Sequence, residues 1–181
     1  MNMINHTARS AATKATLLAF TALAITSCNL TADTPQAGTR TTTFEATVDY
    51  VVDGDTLNVR VDGTSQRIRI LGIDAPETKA CGGTHATEQL QAMLPKGSTV
   101  TIEFDPTSDQ TDNYNRFLAY VSTDTDPDIG HTLIITGAAA AWWPRSAPTP
   151  TRADDYLTAE AYAHKARAGA WERCTTIGRS R

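Results

Sequence analysis

Past residue 42, apolar and polar residues fall into short alternating runs. Phe44, Ala46, Val48 and Tyr50 alternate with polar neighbours, which predicts a strand over 43–52. Leu57, Val59 and Val61 alternate again and stop at Asp62-Gly63, the turn residues of a tight hairpin. Ile68, Ile70 and Gly72 continue the return strand, which Pro76 ends. The period then changes. Ala86, Leu90, Met93 and Leu94 share one face at helical spacing over 84–94, with Pro95 and Gly97 as the stop. Val100, Ile102 and Phe104 mark a fourth strand, and 117–122 a fifth. A short helix over 129–135 closes at Gly137. A last helix is predicted over 152–171, with Leu157, Ala161, His164, Ala168 and Trp171 along one side. Five short strands with three helices predict an α+β, mainly β fold, a five-stranded OB-type barrel with helices packed outside it. A generic α+β sheet is the rival arrangement.

What precedes this region has a different character. Arg9 and Lys14 lead into an apolar run over 17–25 that is too short to span a membrane, and Ile25-Thr26-Ser27-Cys28 resembles the bacterial lipobox. The expected organisation is a lipoprotein-type signal peptide at 1–27, a polar tether at 28–41, a folded domain at 42–177 and a tail at 178–181. The chain is then expected to be exported and anchored to the membrane by lipid at Cys28, or secreted if the segment is an ordinary signal.

Export changes the reading of the cysteines. With Cys28 lipidated, Cys81 and Cys174 remain as a pair in a compartment where disulfides persist. Their bridge would close a loop of 93 residues, for roughly 4 kcal/mol of chain entropy. Two free buried thiols are the alternative.

The 181 residues carry 16 Lys+Arg against 20 Asp+Glu, a formal net charge of −4. Removing 1–27, with its two basic and no acidic residues, makes it −6. A passive nucleic-acid binder should be basic. Chemistry on an anionic substrate therefore needs a local site.

Two stretches supply candidates: Asp53-Gly54-Asp55-Thr56 followed by 69–78 (RILGIDAPET), and 112–120 (DNYNRFLAY). Asp55 opens one strand of the predicted hairpin and Asp74 lies just past the end of its partner, so the pairing draws them together. With Glu77 nearby, these carboxylates repel unless protonated or bridged. A hard cation is the natural bridge, and all-oxygen donors favour calcium or magnesium. Arg69 leads into the cluster and Arg116 enters from the fifth strand. Three carboxylates and two guanidinium groups sum to −1, which a divalent cation turns to +1 and so makes welcoming to a phosphodiester. Singly, each piece has a bland reading. Asp53-Gly54-Asp55 is also a turn signal, Glu77 a helix N-terminal carboxylate, and Tyr114 and Tyr120 ordinary barrel aromatics.

Together these stretches resemble the staphylococcal nuclease family through D-G-D-T, R-x-x-x-x-D-x-P-E and D-x-Y-x-R-x-L-A-Y, in that order, over roughly 43–171. The resemblance implies an OB barrel with three helices, and Ca²⁺ held by Asp55, Asp74 and the backbone carbonyl of Ala75. It implies catalytic roles for Arg69, Glu77 and Arg116, with Glu77 serving the attacking water and the arginines stabilising charge on the phosphoryl oxygens. Expected substrates are DNA and RNA, single strands preferred, cut with little sequence specificity to leave 3′-phosphates by a monomeric enzyme. Tyr114 and Trp142 are candidates to stack on bases, and one of Trp142 and Trp143 is expected to fill the core. The chain departs from the family pattern at Asn115, where glycine is usual, at Asn113 for a lysine, and at Ala75 for a threonine. Asparagine tolerates positive φ better than most residues, so the turn at Asn115 is expected to survive. His85, His131 and His164 are assigned to helices without catalytic roles, and His6 to the signal segment. A catalytically silent binding module on the same barrel is the alternative, and the survival of all five charged groups ranks it second.

Overall fold

A computed structural model describes residues 42–178. The expected signal segment with His6, Cys28, the expected tether and residues 179–181 lie outside the described residues.

Strands β1 (Thr43–Val51), β2 (Thr56–Val61), β3 (Thr64–Ile70), β5 (Thr99–Glu103) and β6 (Phe117–Ser122) close into a barrel in the order β1-β2-β3-β6-β5. The period-2 pattern accounts for the wall. Ala46, Val48, Leu57, Val59, Ile68, Ile70, Val100 and Ile102 are all buried, while most residues between them face outward. Asp62 and Gly63, both at positive φ, make the β2–β3 turn. Closure rests on a parallel pairing, β3 with β6, in which Arg69 lies opposite Leu118.

The return strand is shorter than its apolar pattern predicts. It stops at Ile70 because Gly72, at φ 80°, reverses the chain. Ile73–Asp74 forms a separate strand, β4, pairing with β7 (Ala140–Ala141) and setting Asp74 opposite Ala140. A two-residue strand has no period to read, so this pairing was not foreseen.

Helices α1 (Gly83–Met93), α2 (Ile129–Ile135) and α3 (Ala153–Ala166) pack outside the barrel. Ala86 and Leu90 of α1 and Leu94 just beyond it are buried, as the spacing predicts. The last helix differs in extent and in face. It ends at Ala166, where Arg167 takes a left-handed conformation and the Ala168 N–H bonds back to the Ala163 carbonyl at 2.9 Å. A 3₁₀ turn over Gly169–Glu172 follows. The buried residues of α3 are Ala153, Tyr156, Ala159, Glu160 and Ala163, whereas Leu157 (46% exposed), Ala161 and His164 face solvent. Small alanines admitted two helical stripes, and Tyr156, the largest group the helix buries, set the face. His85 and His131 lie on α1 and α2; the latter's N–H is capped by Asp128.

Cys81 and Cys174 form the expected disulfide, with Cα atoms 5.9 Å apart. A polar hub ties the barrel to the start of α3. Asp105 is 3% exposed. Its Oδ1 accepts from the Thr107 N–H and hydroxyl and the Ser108 N–H. Its Oδ2 accepts from the Tyr120 hydroxyl and from the Thr151 N–H and hydroxyl.

Candidate active site

Arg69 occupies the penultimate position of β3, where alternation turns it away from the interior that Ile68 and Ile70 fill. It is nevertheless only 6% exposed, because the Gly72 reversal wraps around it. Nη1 donates to the carbonyls of Ile70 at 2.7 Å and Ile73 at 2.8 Å. Nη2 donates to Asp74 Oδ1 at 2.9 Å, and Nε lies 3.0 Å from Asp55 Oδ1. One guanidinium thus bridges both predicted metal-site carboxylates.

Asp55, 3% exposed, is held by its neighbours. Its Oδ1 accepts from the Thr56 hydroxyl at 3.0 Å and its Oδ2 from the Ala75 N–H at 2.8 Å, while its own N–H donates to Asp53 Oδ1 at 3.1 Å. Burial pushes its pKa up to about 6 despite the attraction of Arg69, with Asp53 and Asp74 adding repulsion. Gly54 explains the spacing of the acid turn. A Cβ there would lie 2.7 Å from the Cβ atoms of both Ala75 and Ala86. Glycine lets the turn pack against β4 and α1. Gly54→Val is expected to cost about 2–3 kcal/mol by overpacking, read as a lowered denaturation midpoint, and to displace Asp55 from the Ala75 N–H.

Arg116 directly precedes β6, so the parallel β3–β6 closure brings it to the same side as Arg69. Its Nε and Nη2 both lie 2.7 Å from Asp112 Oδ2. Asp112 also shapes the turn: Oδ1 accepts from the N–H groups of Tyr114 at 2.8 Å and Arg116 at 3.0 Å. Burial opposes ionisation of Asp112, but these bonds and the Arg116 charge outweigh it and hold its carboxyl below the usual range. Asn115 takes φ 59°, so asparagine does supply the turn. Sequence reasoning gave Asp112 no role and left it out of the charge count. Asp55, Asp74, Glu77 and Asp112 against two arginines give a formal −2. The signal was available, since an acid four residues before an arginine is a local pairing pattern.

Arg69, Arg116, Tyr114 and Trp142 line one cleft of about 450 Å³, closed on another side by the Pro144–Pro150 stretch. Tyr114 is 79% exposed and lies beneath the Arg116 guanidinium, 5.3 Å from ring centroid to Cζ. Neither Trp142 nor Trp143 is fully buried. Trp143 packs against the core cluster, and both line the cleft. Asp55 and Asp74 sit behind Arg69 rather than on the cleft wall. Glu77 is exposed on the connection after Ala75 and lies outside the cleft lining. Among the described residues no group of three or more His, Cys, Asp or Glu is arranged to hold a metal. The two buried carboxylates are oxygen donors of the kind a hard divalent cation takes, and in this structure Arg69 is the counter-charge they share.

Similarity to known proteins agrees with this geometry. The chain is 31% identical to a micrococcal nuclease of Shigella flexneri over 134 residues, 71% of this chain and 74% of that protein. It is 33% identical to endonuclease YncB of Bacillus subtilis over 114 residues (60% and 53%), and 29% identical to endonuclease YhcR of the same organism over 141 residues (71% and 11%). The chain thus spans about half of YncB and about a tenth of YhcR. The family profile described as staphylococcal nuclease homologue matches residues 67–173, more than half of the chain and the stretch from within β3 that carries Arg69, Asp74, Arg116 and Trp142, and the chain therefore belongs to the staphylococcal nuclease family.

Proposed function

We propose that this protein is a calcium-dependent nuclease that hydrolyses phosphodiester bonds of DNA and RNA with low sequence specificity and leaves 3′-phosphates. The observation that carries this reading is the cleft in which two arginines and two aromatic rings converge directly in front of the buried Asp55–Asp74 pair. The nuclease and endonuclease names of the relatives support it.

Asp55, Asp74 and the Ala75 carbonyl would hold the cation, which supplies positive charge for the scissile phosphate. Arg116 stands on the cleft wall with its side chain 18% exposed, placed to donate to phosphoryl oxygens as negative charge builds on them. Arg69 holds the acid pair in place and offers its remaining hydrogen toward the cleft. Glu77, on the exposed connection, takes a proton from the attacking water. Tyr114 and Trp142 stack on bases, which every nucleotide permits, and this favours single strands and broad specificity. We place the protein outside the cytoplasm as a monomer, secreted or held by lipid at Cys28.

The test is cleavage of single-stranded DNA and RNA with Ca²⁺ and then with chelator. Cleavage is expected to vanish on chelation. Arg116→Ala is expected to lower kcat about 10²–10³-fold and to cost at most about 1 kcal/mol of stability, because its pair with Asp112 is partly exposed. A folded protein that cuts neither substrate in Ca²⁺ would overturn the reading in favour of a silent binding module.

A further inference from the structure

The disulfide joins two segments that both touch the acid site. Cys81 ends the connection that follows Asp74 and carries Glu77. Cys174 begins the last described segment, which runs back to Asp74. Ile177, 2% exposed, packs with Ala140 and Ala170 in a small cluster separate from the barrel core, and Ala140 is the strand partner of Asp74. Gly178 lies so close to Asp74 that a Cβ on it would overlap the Asp74 carbonyl and stand 3.2 Å from Oδ2.

The Glu77 connection is equally tight. The Ala80 N–H donates to the Glu77 carbonyl at 2.7 Å, and the Gly83 N–H to the Ala80 carbonyl at 3.0 Å. A Cβ on Gly82 would stand 2.7 Å from Ala170 Cβ and 3.8 Å from Cys174 Sγ, and one on Gly83 would overlap the Glu77 carbonyl. The bridge therefore staples the backbone that carries Glu77 to the backbone that presses on Asp74, through a cluster the barrel does not need for closure.

We infer that segment 174–178, held by the Cys81–Cys174 disulfide, is a positioning element for Asp74 and Glu77, and that opening the bridge turns the nuclease down while the barrel stays folded. The inference rests on the nuclease reading above. Opening takes a dithiol reductant. The S–S bond breaks, two electrons and two protons pass to the cysteine sulfurs, and the reductant leaves as its cyclic disulfide.

The experiment compares the oxidised protein, the protein reduced with dithiothreitol, and Cys81→Ser/Cys174→Ser, all with Ca²⁺ and a single-stranded oligonucleotide. Opening the bridge is expected to lower kcat at least ten-fold and to leave KM within two-fold, because Tyr114, Arg116 and Trp142 are carried by other segments. Hydrogen exchange is expected to speed at least ten-fold at the Ala80 and Gly83 amides and to stay unchanged at Leu57 and Ile102 in the barrel. Unchanged exchange at Ala80 and Gly83, or unchanged kcat with the bridge open, would overturn the inference. Should the barrel amides also exchange faster, Gly178→Val decides with the disulfide intact: the same kcat loss supports the positioning role and an unchanged kcat refutes it. Should the oxidised protein cut nothing, the nuclease reading falls by itself, and the exchange result alone judges the staple.

Discussion

Arg69→Met is expected to cost about 3–5 kcal/mol of folding stability, because it strands two buried carboxylates, and to reduce cleavage at least about 10³-fold as the acid pair loses both its neutralising charge and its geometry. Few substitutions here should cost more. Asp55 and Asp74 are 3% and 4% exposed and share this one guanidinium, and Nη1 ties down the Gly72 reversal as well. Arg69→Lys keeps the charge but has no fork, and should fall between the two.

The loss is expected to depend on pH. Asp55 already titrates near 6 in the folded chain against a reference of 3.8. The folded state thus binds the extra proton, and this group's contribution to stability declines as pH rises from about 4 to about 6. Without Arg69 the folded value climbs further. The variant should therefore be closest to wild type at pH 5 and furthest from it at pH 8, read from urea midpoints. A loss below about 1 kcal/mol at pH 8 would mean that the acids find neutralisation elsewhere.

Asp105→Asn is expected to cost about 3 kcal/mol with little direct effect on the cleft. Burial opposes the Asp105 charge, but hydrogen bonds from the Thr107, Thr151 and Tyr120 hydroxyls and the Thr151 N–H outweigh it and hold its carboxyl far below the usual range. An amide would turn an N–H₂ against some of these donors and leave them buried without an acceptor. Tyr120, whose acidity is suppressed by burial and by the Asp105 carboxylate, has no alternative state to offer near neutral pH. The sign is opposite to that of Asp55. A depressed carboxylate stabilises the fold above its unfolded value of 3.8, and that contribution is lost as pH falls below it. The gap between wild type and Asp105→Asn should be constant from pH 5 to 8 and shrink below about pH 4. A gap that does not narrow in acid would show that the hub does not depend on the Asp105 charge.

Much of this was legible beforehand because the carriers are local. Period-2 runs place five strands, and the acid and arginine spacings mark Asp55, Asp74 and Arg69. Asn115 at φ 59° follows from the tolerance of asparagine for that conformation. Other features were misread for equally physical reasons. The α3 sequence is so rich in alanine that two stripes are apolar, and nothing in its period marks the left-handed Arg167 that ends it. Asp112 was seen only as part of a motif, although its bonds to Arg116 decide how that arginine is presented.

What the sequence by itself determined is the barrel's strand content, the hairpin that draws Asp55 toward Asp74, the cysteine pair and the family. Only tertiary structure decided the rest. The parallel β3–β6 closure puts Arg69 and Arg116 on one cleft. The β4–β7 pairing buries Asp74 beside Ala140. The return of 174–178 presses the C-terminal segment on the same carboxylate. Local patterns report which face of an element is apolar, but a contact between segments a hundred residues apart leaves no period in either one. It is settled by which surfaces must be covered once the barrel closes.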